Sequence, residues 1–237
     1  MAFGDHFFVG RTTRVGEWLE TARTRAQLRQ LNRFLPPKGR VLEIGPGKGR
    51  FAELCIAEGL DYHAVEGSPE SCRLLRAKGV EATEAFVPPL PPSDVQYDAI
   101  CAWAVLEHMT SADAAAKLVD SACDQLADRG VLAVMSPELK GWGLNFWACD
   151  HTHAFPTSAQ TTMNLFHNAG LDVVGCSFMS GPFVGLARFL PLLANLFNPS
   201  GLVEKVLGPR LPPRKLRNLK MSLSECFLVI GRKKASG

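Results

Sequence analysis

The chain has 237 residues, enough for one domain with a full core and an elaboration. Its 26 basic and 23 acidic residues leave a formal charge of +3, too mild to mark a nucleic-acid partner. Seven scattered cysteines form no Cys-x-x-Cys pair, which points to buried thiols in a reducing compartment rather than to disulfides or zinc. The first fourteen residues lack the apolar core of a signal peptide, and no run of about 20 apolar residues exists to span a bilayer. A cytoplasmic protein is expected.

Trp18, Leu19, Leu28, Leu31 and Phe34 recur near helical spacing, predicting a helix over about 15–34 that Pro36-Pro37 ends. An apolar strand, Val41-Leu42-Glu43-Ile44, then runs into Gly45-Pro46-Gly47-Lys48-Gly49-Arg50. Glycine lacks a β-carbon, so the chain can turn tightly there and let a ligand lie against bare amides. Helical spacing returns at Phe51, Leu54, Cys55 and Ile56 and stops at Gly59. A second strand, Tyr62–Val65, is closed by Glu66, 17 residues after Gly49. An acid at that position can accept hydrogen bonds from both hydroxyls of a ribose. Glycine turn and acid together place a nucleoside across the first two strands of a Rossmann-like sheet.

Ser68-Pro69 starts the next helix, serine as cap and proline in the first turn, and Gly79 ends it. A short strand near Val80–Thr83 precedes the Pro88–Pro92 loop. Thr110-x-x-Asp113 has capping-box spacing for a further helix. Alternating strands and helices imply an α/β fold, a doubly wound, mostly parallel sheet with helices on both faces. Ligands in such sheets bind beyond the carboxyl ends of the strands, where Gly45, Glu66, Glu84 and Trp103 fall.

A dinucleotide fingerprint would carry Gly-x-Gly-x-x-Gly/Ala, and Arg50 stands where its last glycine would be. The spacing Gly45-x-Gly47-x-Gly49, with Glu43 in the strand before it, resembles the first motif of the class I S-adenosylmethionine-dependent methyltransferases. Tyr97–Trp103 with Val105-Leu106-Glu107-His108, Asp128–Val134 with Ser136-Pro137, and His153 through Ala169-Gly170-Leu171 resemble later motifs of that family in the same order. The resemblance covers about residues 40–178 and 225–233. It implies S-adenosyl-L-methionine as cofactor, Glu43, Gly45, Gly47, Gly49 and Glu66 in its site, Glu84 near the adenine amino group with Ala85 against the ring, and Trp103 in the pocket. This chain has Thr-Glu-Ala at the third strand, where the family more often has Gly-Asp-Ala.

A sulfonium methyl is displaced in line by a nucleophile, so the protein chiefly aligns the acceptor and excludes water. Where the acceptor must lose a proton, His108 and His153 are the candidate bases. No metal is expected, since Asp150-His151-Thr152-His153 offers only one carboxylate to a hard cation. Phe3, Phe7, Phe8, Trp142, Phe146 and Trp147 are candidate walls for a small hydrophobic acceptor. Two other classes stay open on the sequence: a nicotinamide-dependent oxidoreductase, which Arg50 and the later motifs oppose, and a non-catalytic binding protein with the same fold.

In the family the sixth and seventh strands lie close in sequence, whereas Leu171–Phe178 and Glu225–Gly231 are about 45 residues apart here. The expected organisation is an N-terminal helical segment at 1–38, a cofactor-binding core at 39–178, a helical lid at 179–224, and a last antiparallel strand and tail at 225–237, making seven strands. Met179–Met221 holds seven basic residues against one acid, Glu204, and begins with an apolar half. Such a lid could also meet a membrane surface or amphiphilic substrate through 183–220, placing the protein peripherally at an inner membrane face. Nothing in the sequence fixes the oligomeric state.

Overall fold

The computed structural model describes residues 14–188 and 224–235. Helix α1 (Arg14–Leu31) leads into strand β1 (Arg40–Ile44), helix α2 (Arg50–Ala57) and strand β2 (Asp61–Glu66). Helix α3 (Pro69–Ala77), strands β3 (Glu81–Glu84) and β4 (Tyr97–Trp103), a 3₁₀ turn at Leu106–His108 and helix α4 (Ala112–Gln125) follow. Strand β5 (Leu126–Pro137), two single-turn helices, α5 (Leu139–Trp142) and α6 (Asn145–Ala148), and helix α7 (Ala159–Asn168) lead to β6 (Asp172–Ser180), β7 (Phe183–Val184) and β8 (Glu225–Arg232).

The strands form one sheet in the order β3-β2-β1-β4-β5-β8-β6-β7. The first five are mutually parallel, and β8 runs antiparallel between β5 and β6. The expected doubly wound sheet is present with one addition, β7, whose two residues pair antiparallel with the end of β6. The 179–224 boundary therefore needs correction at its start. Met179 and Ser180 are still strand, paired with Cys226 and Glu225. The rest of the expected lid, from 189 to 223, and the aromatic residues Phe3, Phe7 and Phe8 lie outside the described residues.

Parallel strands covered on both faces are apolar on both faces, and β1 shows it. Leu42 and Ile44 pack with Ile100, Ala102, Leu106, Leu118 and Phe166, on the side of α4 and α7. Val41 packs the other way, with Leu28, Phe51, Tyr62 and Leu75, on the side of α1, α2 and α3. Trp18 shares the helical spacing of α1, yet it is 61% exposed while Leu19, Leu28 and Leu31 are buried. The helix also ends at Leu31, and Phe34 lies beyond it with the Arg232 guanidinium 5.3 Å from its ring.

Helix starts follow local chemistry. Ser68 Oγ accepts from the Ser71 amide at the head of α3, as its sequence predicts. At α4 the cap is Ser111, accepting from the Ala114 amide, and not Thr110; the helix begins one residue later than the capping-box spacing suggested. Asp128-Arg129-Gly130 lies within a continuous β5, with a register shift opposite Tyr97 and Ala99. Arg129 takes a positive φ of 62° there, and a β-carbon on Gly130 would come within 2.8 Å of the Tyr97 carbonyl oxygen.

Register aligns the strand ends. Ile44 pairs with Val65 and with Ala102, and Glu66 pairs with Glu84. Between β1 and β4 the strand order reverses, so the loops after β1, β2, β3 and β4 converge at a topological switch point.

Candidate active site

Three residues of the glycine turn hold left-handed backbone: Gly45 at φ 67°, Gly47 at 55° and Gly49 at 73°. An L-residue would be strained there by about 1–2 kcal/mol each. Their surroundings differ. A β-carbon on Gly45 would come 3.0 Å from Val105 Cγ2 and one on Gly49, the cap of α2, 2.7 Å from Leu75 Cδ2, while one on Gly47 would enter open space. The turn is braced by amides of Gly45 and Gly49 donating to the carbonyls of Val65 and Pro46, each at 2.9 Å.

Glu66 closes over this turn from the end of β2. Its Oε2 accepts from the Gly47 amide at 3.3 Å and its Oε1 from the Ser68 amide at 2.9 Å. Glu43 sits below, 2% exposed, its carboxyl accepting from the Tyr62 hydroxyl. Burial, with repulsion from Glu66 added and the Tyr62 bond opposing, pushes its pKa up to about 8. Glu43 is thus buried beneath the turn, in contact with Tyr62. Arg50, the first residue of α2, turns back to α1: its guanidinium reaches Thr21 Oγ1 at 3.3 Å, and Nε lies 3.2 Å from a Glu20 carboxylate oxygen without hydrogen-bond alignment.

Glu84 is exposed at the end of β3, and the Ala85 amide donates to the Glu66 carbonyl at 3.0 Å. The next residue, Phe86, is 71% exposed with its ring against Gly67, where a β-carbon would be 2.9 Å from it. It is an exposed apolar plate beside Gly67 that the motif pattern alone did not single out as a site residue. A large exposed aromatic two residues past a strand end was the available signal. Trp103 packs edge-on to Phe51 at 5.2 Å, and its buried Nε1 has no hydrogen-bond partner among the described residues. A bare glycine facing open space, a carboxylate held beside it and an unpaired buried indole N–H on the same sheet edge suit a nucleoside cofactor.

Farther along the edge, the turn after β4 meets the loop before α7. The Phe155 amide donates to the Glu107 carbonyl at 3.0 Å, joining the two segments. Both candidate histidines are there, their ring centroids 5.0 Å apart. His153 is buried, and its Nδ1 donates to the Phe146 carbonyl at 2.6 Å, which leaves the lone pair of the neutral ring on Nε2. His108 is half-buried with Nδ1 2.8 Å from Thr152 Oγ1, and that hydroxyl donates to Asp150 Oδ1 at 2.6 Å. Since the Thr152 proton goes to the carboxylate, Thr152 accepts from His108 Nδ1 and fixes the same tautomer. Burial, with the charge of His153 added, depresses the His108 pKa. Asp150 stays low despite burial because the Thr152 hydroxyl and amide and both imidazoles favour its charge.

Glu107 joins this group, which the sequence reading did not foresee. It is 1% exposed and accepts from Ser136 Oγ. Burial pushes its pKa up to about 7 against the Ser136 and backbone hydrogen bonds; Asp150 adds to the rise and Arg23 opposes it. Phe146, expected as an acceptor wall, is fully buried and packs 4.8 Å from the His153 ring, so it supports that ring. Trp142 is also buried, its Nε1 donating to the Glu225 carbonyl at 2.7 Å, whereas Leu144 and Trp147 are exposed. His151 is exposed and does not enter the cluster.

A glycine turn, an acid on the next strand and a switch-point crevice define a nucleoside-cofactor enzyme of the open α/β class. The methyltransferase domain family matches residues 18–175, and the chain belongs to that family. It is a methyltransferase, with S-adenosylmethionine as its cofactor. Among solved structures, a SAM-dependent methyltransferase from Archaeoglobus fulgidus is similar with 17% identity and a TM-score of 0.61, over 93% of this chain and 100% of that one. An S-adenosylmethionine-dependent methyltransferase from Mesorhizobium loti is similar with 15% identity and a TM-score of 0.59, over 88% and 98%. The [4+2]-cyclase SpnF is similar at 17% identity and 0.60, over 89% and 81%. At these identities the likeness shows the fold alone. No curated protein matches the chain by sequence. No helix among the described residues is long and apolar enough to cross a membrane.

Proposed function

We propose that the chain methylates a small, hydrophobic molecule carrying an ionisable hydroxyl, bound between the glycine turn and the histidine cluster. The observation that carries this reading is the pair of pinned imidazoles on the same sheet edge as Glu66 and Gly47. When bound, S-adenosylmethionine supplies a methyl group already activated on a sulfonium centre. In this reading Glu66 receives the ribose hydroxyls, the amides around Gly47 face the amino-acid end, and Phe86 and Ala85 flank the adenine with Glu84 at its amino group. The indole N–H of Trp103 is a further donor toward the cofactor.

His108 and His153 handle the acceptor's proton. An imidazole whose Nδ1 already donates can take a proton only at Nε2, and burial, which lowers the His108 pKa, favours the neutral ring that can do so. Exposed Leu144 and Trp147, on the segment that carries His153's support, favour an apolar acceptor. The test is a turnover screen that measures S-adenosylhomocysteine formation with phenols, quinols and hydroxylated lipids, run beside calorimetric binding of S-adenosylhomocysteine. Tight cofactor-product binding with turnover of apolar hydroxyl compounds is expected. Turnover confined to amines or polar acids would overturn the acceptor class.

A further inference from the structure

One ligand atom each from Glu107, His108 and His153 lies within 4.8 Å of the other two. The three residues come from two rigidly joined segments, the turn after β4 and the loop tied to it through the Phe155 amide. Bonds of about 2.0–2.2 Å to one ion place such atoms about 3–3.5 Å apart, so only a small closure of side chains separates this cluster from a coordination sphere.

The surroundings have the organisation of a metal site. Imidazoles that bind a metal almost always donate their other N–H to an oxygen, which fixes the tautomer and aims the remaining lone pair. Both histidines do this, His153 to the Phe146 carbonyl and His108 to Thr152, which is itself anchored on Asp150. The Glu107 carboxylate is likewise held by Ser136. Asp150 adds a second negative charge behind the first layer, and Arg23 acts on Glu107 in the opposite sense.

We propose that Glu107, His108 and His153 bind a divalent transition-metal ion, through one carboxylate oxygen and the two Nε2 atoms. Two nitrogens and one oxygen favour manganese, iron, cobalt or zinc over magnesium or calcium, which take oxygen sets. Three protein ligands leave positions open, and a hydroxyl that joins the ion there loses its proton to solvent at lower pH than it otherwise would. This deepens the proposed reaction and rests on it: with both Nε2 atoms on the ion, the acceptor's proton leaves to solvent from the ion-bound hydroxyl instead of passing to an imidazole. It also revises the expectation, drawn from the Asp150–His153 stretch alone, that no metal is bound. The carboxylate that completes the set, Glu107, lies 46 residues from His153 in sequence.

The full chain, stripped with a chelator and dialysed, is titrated with Mn²⁺ by calorimetry and with Co²⁺ by visible absorption. Seven cysteines make zinc a poor probe, whereas Co²⁺ on nitrogen and oxygen gives d–d bands without thiolate charge transfer. One ion per chain is expected. Affinity should fall about 100-fold in His153→Gln and in His108→Gln, and about 10-fold or more in Thr152→Val, which removes only an outer partner. If Glu107→Gln fails to fold, the half-buried His108 variant carries the test. Absence of a stoichiometric ion, equal affinity in the variants, or cobalt spectra dominated by thiolate bands would overturn the site. S-adenosylhomocysteine binding on the same samples separates the two proposals. Retained binding with no metal removes only the metal site, while lost binding removes the methyl-transfer reading.

Discussion

The Gly47 amide donates to Glu66 Oε2 at 3.3 Å, so the turn after β1 and the acid after β2 are one hydrogen-bonded unit. Ser68 ties the other carboxylate oxygen into the head of α3. The carboxylate is therefore aimed before any ligand arrives, and the ordering cost of binding is reduced.

Replacing Glu66 by alanine removes a charged acceptor and frees two backbone amides. The affinity for S-adenosylhomocysteine should fall by about 1.5–3 kcal/mol, the range for hydrogen bonds to charged groups. Glu66→Gln retains a carbonyl acceptor and should lose less. Calorimetry on both variants is the check, and wild-type affinity in Glu66→Ala would remove Glu66 from the site.

Gly47 and Gly49 share a backbone conformation but should fail differently. Alanine at Gly49 meets Leu75 at 2.7 Å at the head of α2, so thermal stability should drop by well over the backbone strain of about 1–2 kcal/mol. Alanine at Gly47 meets nothing, so its stability loss should stay near that strain. Valine at Gly47 should abolish cofactor binding in a protein that still melts cooperatively. Comparable melting losses at both positions would contradict the open space beside Gly47.

Much of this was legible in the sequence because it is local. Gly45, Gly47 and Gly49 are set by backbone conformation, Ser68 by capping, and the parallel core by continuous apolar strands. What escaped was long-range or decided by competition. Trp18 fits the helical stripe of α1, but Leu19, Leu28 and Leu31 take the buried face. Thr110 and Ser111 are both capping residues, and the sequence alone does not say that Ser111 takes the cap of α4. His108 and His153 were visible as motif residues, yet their tautomers depend on Thr152 and on a main-chain carbonyl at Phe146, which no motif records. Glu107 read as part of a turn, because its burial follows from Ser136 on β5, 29 residues away.

Glu43 gives the fold a pH dependence. In the unfolded chain its carboxyl titrates near 4.5, while burial raises it to about 8 in the folded state, with Tyr62, Cys55, Cys101 and Glu66 around it. Between those values the folded chain keeps a proton that the unfolded chain has released. The contribution of Glu43 to stability is therefore full below about 4.5, falls as pH rises, and is lost through about 8. The slope can reach about 1.4 kcal/mol per pH unit for one group. Glu43→Gln, which still accepts from Tyr62, should flatten the decline in denaturant melts at pH 5, 6.5 and 8. A Gln variant that declines as steeply as the wild type would assign the effect to other groups.

Trp103 should separate folding from binding. Its Nε1 is buried without a partner among the described residues, and an unpaired buried donor costs about 1–3 kcal/mol. Phenylalanine deletes that donor and keeps an edge-on aromatic against Phe51, at the cost of a smaller ring. The two effects oppose, so the ligand-free Trp103→Phe protein should melt within about 1 kcal/mol of wild type. If the indole N–H serves the cofactor, the variant forfeits that bond when S-adenosylhomocysteine binds, and the ligand-induced stabilisation should shrink by about 0.5–1.5 kcal/mol. Thermal shifts measured with and without ligand read both numbers from one experiment. An undiminished ligand shift would place the indole outside the binding set and leave its unpaired nitrogen as a cost of packing beside Phe51.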